Sequence, residues 1–105
     1  MKPHSYILVT LFFQKEGNRW TGFCKELGTA TFGRTIQETH EKLNEAVLLH
    51  LNTLEEVGER ARFFREHNIT LYPSKPKEKE ISIPFDTNSF VRPYIYPIHE
   101  ELLNT

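Results

Sequence analysis

Residues 6–13 are hydrophobic except for Thr10 and are rich in β-branched and aromatic types, which favours a β-strand. A polar segment of hairpin length, residues 14–19, follows and contains Gly17. Because apolar residues occupy both alternating faces of the first segment, we predict that this strand lies in the interior of a sheet.

Two further β-prone segments follow the polar turn. In the first, Trp20, Gly22 and Cys24 alternate with Thr21, Phe23 and Lys25, as on the two faces of a strand. The second is a short segment between Gly28 and Gly33. Glycine permits tight turns at both ends of that segment. We therefore predict a three-stranded antiparallel meander.

A long amphipathic helix is predicted after the meander. Thr35 and Glu38 have the spacing of a capping box, in which the Thr35 hydroxyl accepts from the Glu38 amide and the Glu38 carboxylate accepts from the Thr35 amide. Gly58 suits the left-handed position that follows a helix. The predicted fold class is α+β, and an apolar stripe of the helix faces the core: Ile36, Leu43, Val47, Leu51 and Leu54.

Leu48 and Leu49 fall outside this stripe. Large apolar side chains on the solvent face of a helix are explained when another chain covers them. We therefore predict that both leucines contact a partner.

The remainder of the chain is predicted to hold a short second helix, from Glu59 to His67, and then a charged, proline-containing linker over residues 74–80. The predicted division is a core of residues 1–73 and a linker with a β-rich arm, residues 74–105. Proline cannot donate to a strand ladder, so the arm is expected to supply edge strands at best, because of Pro84, Pro93 and Pro97. Three aromatic residues of this arm are predicted to contact a partner: Phe90, Tyr94 and Tyr96.

Size and charge narrow the choice of partner. A domain of 105 residues buries only roughly two-thirds of its unfolded surface, so we expect a homo-oligomer that enlarges the thin core. The 13 Lys and Arg residues are balanced by 14 Asp and Glu residues, which leaves no field that would attract nucleic acid. Cys24 is the only cysteine, which excludes an internal disulfide and favours the cytoplasm. The apolar N-terminal stretch is too short to span a bilayer and lacks a signal-peptide cleavage site, so we expect a cytoplasmic protein that does not associate with a membrane.

The sequence offers little catalytic chemistry. His40 and His50 are ten helical residues apart, roughly 15 Å along the axis, and neither has a second ligand at helical metal spacing. The strand segments up to Cys24 lack the paired carboxylates of a two-metal nuclease. We expect no enzyme activity, no metal and no other cofactor.

The sequence resembles the HicB-like antitoxin family in the order of its segments. These are a hydrophobic strand, a glycine-containing hairpin, the segment from Trp20 to Glu38 and a long helix. Positions 27 and 28 (Leu-Gly), Gly33, Thr35 and Glu38 match its pattern, and the likeness covers residues 6–57. The resemblance implies a partial ribonuclease H-like fold. The chain departs from the pattern in three ways: Cys24 or Lys25 replaces a usual proline, Thr39 replaces a common alanine, and residues 59–105 lack a DNA-binding pattern.

The resemblance implies a non-catalytic antitoxin that binds and neutralises a small HicA-type mRNA-cleaving toxin. Two alternatives stay open. One is a homo-oligomeric scaffold whose C-terminal strands complete a neighbour's sheet. The other is a metal-dependent hydrolase that uses His40 or His50.

Overall fold

The alternating and helical segments of the sequence form the elements expected of them in the computed structural model, which describes residues 5–75, 83–86 and 89–98. The fold is α+β, and the predicted meander and long helix are confirmed. In chain order the elements are β1 (Ser5–Glu16), β2 (Arg19–Cys24), β3 (Thr29–Gly33), α1 (Ile36–Glu56), α2 (Arg60–Glu66), β4 (Ile83–Asp86) and β5 (Ser89–Ile98).

The strands form one antiparallel sheet in the order β3-β2-β1-β5-β4. β1 is central, as its two apolar faces predicted. β5 pairs with β1 along ten residues, from Ser5 opposite Ile98 to Gln14 opposite Ser89. The division of the chain near residue 74 stays a prediction, but β5 belongs to the same sheet as the meander.

The expectation that the C-terminal strands lie at an edge is wrong for β5, which lies between β1 and β4. The Thr10 carbonyl accepts from the Lys25 amide, so the backbone groups of Thr10 point toward β2 and not toward β5. Pro93 is opposite Thr10, and its nitrogen therefore faces away from β1. β4 pairs only with positions 89–91, so no ladder bond is lost at Pro93.

α1 begins where predicted, although one half of its cap differs. The Thr35 hydroxyl accepts from the Glu38 amide at 2.9 Å. The Glu38 carboxylate accepts from the Arg34 amide at 2.6 Å, one residue earlier than the capping box predicts. After the helix, Gly58 adopts a φ of 72°, as a left-handed C′ residue does.

α1 lies over β2 and β3, and two glycines let it approach closely. A Cβ atom on Gly22 would lie 2.9 Å from Thr39 Cγ2, and one on Gly33 would lie 2.8 Å from Thr39 Oγ1. Gly28, with a φ of 68°, makes the predicted tight turn, whereas Gly33 is needed for the close approach of the helix.

The core lies between α1 and the face of the sheet that carries these glycines. α2 and the segment after it close one end of the core through Phe64 and Ile69. No helix in the described part of the chain is long and apolar enough to cross a membrane. Four elements, β1, β2, α1 and β5, contribute these buried core residues: Ile7, Val9, Leu11, Phe13, Cys24, Leu43, Val47, Leu51, Tyr96 and Ile98.

Candidate protein-interaction surface

The face of the sheet opposite α1 carries large apolar side chains. We call this surface the open face and define it by Leu8, Phe12, Phe23 and Phe32. The side chains of Phe32, Leu8 and Phe23 are 55%, 42% and 38% exposed, and Phe12 is half-buried. An antiparallel sheet with one solvated face normally has polar residues there, so apolar side chains on this face indicate a surface for binding.

Strand register brings the open-face residues together. Phe12 and Phe23 are direct cross-strand neighbours on β1 and β2. On β3, Phe32 pairs with Thr21 of β2, which places Phe32 diagonal to Phe23. Cross-strand and diagonal neighbours are within reach of aromatic side chains, so these rings line one continuous stretch of the open face.

A charged groove of about 770 Å³ borders the open face where α1 begins. The Arg19 guanidinium lies 4.7 Å from the centre of the Phe32 ring, at a cation–π distance. The groove is lined by three cationic residues, Arg19, Arg34 and Lys42, and by Glu16 and Glu38. This mixture of charges suits polar contacts at the rim of a protein interface better than a polyanion.

The structure separates the two leucines that the sequence predicts as partner contacts. Both are exposed, Leu48 by 43% and Leu49 by 68%. Successive helical residues point about 100° apart, so the two side chains do not form one patch. Leu48 lies on the β5 side of α1, beside Pro97 and Ile98.

The three aromatic residues predicted as partner contacts in the tail lie elsewhere. Tyr96 is only 2% exposed; it lies in the core instead of on a surface, and its hydroxyl donates to Asn44 Oδ1 at 2.6 Å. Tyr94 is half-buried and packs edge-on against the ring of His40. The backbone of Phe90 pairs with Phe13, and its side chain lies outside the described part of the structure.

Sequence reasoning did not assign Leu8, Phe12, Phe23 or Phe32 to an interface. The signal was present, because apolar residues occupy both faces of β1. That pattern predicts a strand in the interior of the sheet, but it also predicts a covered surface on both faces. A strand that is apolar on both faces needs a covering layer on both sides, and α1 covers only one of them.

The two histidines of α1 lie on opposite flanks of the helix. His40 Nδ1 is 3.3 Å from Arg92 Nη1, whereas His50 Nδ1 is 3.2 Å from Thr29 Oγ1. Burial, and then the charge of Arg92, lowers the pKa of His40. Within residues 5–75, 83–86 and 89–98, no three His, Cys, Asp or Glu side chains come together as a metal site.

Cys24 is fully buried on the inner face of β2. Burial raises the pKa of its thiol to about 11, so the reactive thiolate is scarce near neutral pH. The arrangement of Cys24 therefore fits a packed core residue and not an activated nucleophile.

No family model, no curated protein and no solved structure matches this chain. The likeness to HicB-like antitoxins therefore rests on the motif residues between positions 6 and 57.

Proposed function

We propose that this chain is a non-catalytic, antitoxin-like protein that binds and neutralises a small HicA-type mRNA-cleaving toxin. The observation that carries the proposal is the open face, where large apolar side chains stay exposed on a sheet whose other face is packed. The motif from Leu27 to Glu38 that resembles the HicB-like family supports the choice of partner.

The energy available on the open face suits a protein interface. A Phe side chain buries about 150–250 Å², so covering the exposed half of Phe32 removes roughly 100 Å² from water. At about 25 cal/mol per Å² this contributes about 2.5 kcal/mol, the size of an interface hot spot. Leu8 and Phe23 add smaller contributions of the same kind, because each is about 40% exposed.

Co-expression with the protein encoded by the adjacent reading frame tests the function. We expect a stable complex on co-purification and rescue of growth when that protein is toxic. Absence of both the complex and the rescue would overturn the antitoxin proposal.

A matched pair of substitutions tests the surface. Leu8→Ser changes the open face, and Leu48→Ser changes a leucine of nearly equal exposure, 42% against 43%, on the helix. We expect Leu8→Ser to weaken the complex several-fold and Leu48→Ser to leave it unchanged, as measured by titration calorimetry. The reverse result would assign binding to the helix and would remove the open face from the proposal.

The alternative scaffold, whose C-terminal strands complete a neighbour's sheet, has weaker support. β5 pairs over its whole length with β1 of the same chain, so the edge of β5 that faces β1 cannot pair with a strand of a neighbour.

A further inference from the structure

The two edges of the sheet differ in how they resist pairing with another strand. β4 contains Pro84 and Asp86, and its register with β5 is irregular between these residues. Proline, charge and bulges are the devices that block edge-to-edge association. β3, with the sequence Thr-Ala-Thr-Phe-Gly, has none of these, and no described strand pairs with its outer side.

The hydrogen bonds of β2 show which backbone groups of β3 point outward. The Lys25 amide donates to the carbonyl of Thr10 on β1, so alternate residues of β2, including Cys24 and Gly22, direct their backbone groups toward β3. Their partners on β3 are Thr29 and Thr31.

The intervening residues of β3, Ala30 and Phe32, therefore direct one N–H and one C=O each away from the sheet. Beyond them, the Arg34 amide donates to Glu38 Oε1 at 2.6 Å, which ends this stretch of outward groups. The free stretch thus presents four backbone groups placed symmetrically about Thr31.

We propose that β3 pairs antiparallel with β3 of a second copy of this chain, about a two-fold axis that passes between the two copies of Thr31. In that register Ala30 lies opposite Phe32 of the partner subunit, and the two such pairs exchange four hydrogen bonds. The strand carries no charged residue, so like charges do not meet at the axis. The small Ala30 lies opposite the large Phe32 in both pairs, so the side chains of the two edges fit together.

The same axis brings the two α1 helices side by side, because a two-fold axis perpendicular to the sheet keeps both helices on one face. The contact between His50 and Thr29 identifies the flank of α1 nearest to β3. Leu49 precedes His50 and projects mainly into solvent on the side of α1 that would face the second helix, whereas Leu48 lies beside Pro97 and Ile98 on β5. The proposed dimer therefore brings Leu49, and not Leu48, to the side of α1 that neighbours the second helix.

The interface is short, so we expect a weak dimer. Interfaces that bury less than about 1,200 Å² in total belong to transient complexes. The average mass should rise from 12.4 kDa toward twice that value as concentration increases through the micromolar range.

Sedimentation equilibrium of the full chain tests the pairing. Ala30→Pro removes an outward N–H and leaves the β2–β3 ladder intact, since edge strands accept proline on the solvent side. We expect Ala30→Pro to be monomeric at concentrations where Ala30→Ser, which keeps the N–H, dimerises like the unchanged chain. A chain that stays monomeric throughout, or an Ala30→Pro variant that dimerises equally well, would overturn the proposal.

A second pair of variants leaves the strand untouched, in case Ala30→Pro fails to fold by circular dichroism. Leu49→Ser should raise the dimer dissociation constant at least several-fold, and Leu48→Ser should leave it unchanged. Equal effects of the two substitutions would count against the two-fold arrangement. None of these measurements involves a toxin, so their outcome is independent of the proposed function.

Discussion

The two faces of β1 are similarly hydrophobic but have different fates. Ile7, Leu11 and Phe13 are at most 1% exposed beneath α1, while Leu8, between the first two, is 42% exposed on the open face. The apolar character of a residue therefore does not tell whether it stabilises the fold or binds a partner. The position of the covering helix decides that.

Glycine marks the face that the helix covers. Gly22 and Gly33 share one face of the meander, where Cβ atoms would collide with Thr39 of α1. On the other face the neighbouring positions hold Phe23 and Phe32. Small residues on one face and large ones on the other thus direct α1 to the side where it can approach closely.

The largest expected difference between the faces is in stability. Leu11→Ala should lower the free energy of unfolding by about 2–5 kcal/mol, because it leaves a cavity under α1. Leu8→Ala, on the open face, should cost less than about 1 kcal/mol. Urea unfolding followed by circular dichroism measures both, and equal losses would show that the open face is covered by the fold itself.

A smaller loss of stability is expected from a substitution on the face of the meander that α1 covers. Gly22→Ala should cost about 1–3 kcal/mol, because the new methyl group lies 2.9 Å from Thr39 Cγ2. Thr39→Ser removes that atom and keeps the hydroxyl that donates to the Thr35 carbonyl. In unfolding measurements the double variant should be more stable than the sum of the single losses predicts, and strict additivity would contradict a direct contact.

The smallest expected effect is a dependence of stability on pH, caused by His40. The pKa of His40 is lowered in the folded state, so below a pH of about 6.5 the unfolded chain binds a proton that the folded chain does not. Stability should therefore fall as pH drops from 6.5 toward the lowered pKa. Besides the ring contacts of His40, the charged groups that act on it are Arg92, which lowers its pKa, and Glu41, which raises it.

Unfolding of the unchanged chain and of His40→Gln at a series of pH values from 5 to 8 measures this contribution. The stability difference between the two proteins should change with pH below 6.5 and be constant above it. A difference that is constant over the whole range would show that His40 titrates alike in both states.

Local patterns predicted the meander, α1, α2 and the Thr35 cap, because they depend on alternation, helical spacing and short-range hydrogen bonds. They misplaced β5, because proline is harmful in a strand only when its nitrogen faces a pairing partner. They also placed Tyr96 on a surface, although β5 brings its ring under α1 and its hydroxyl to Asn44.

Local sequence specifies which segments become strands and helices, the cap at Thr35 and the turn at Gly28, because each of these depends on residues only a few positions apart. Long-range packing decides which apolar face is covered, that β5 joins the interior of the sheet, and which backbone groups of β3 face away from the other strands that the structure describes. These features depend on contacts between residues distant in the chain, such as Gly22 with Thr39 and Leu11 with Arg92, which no local pattern contains.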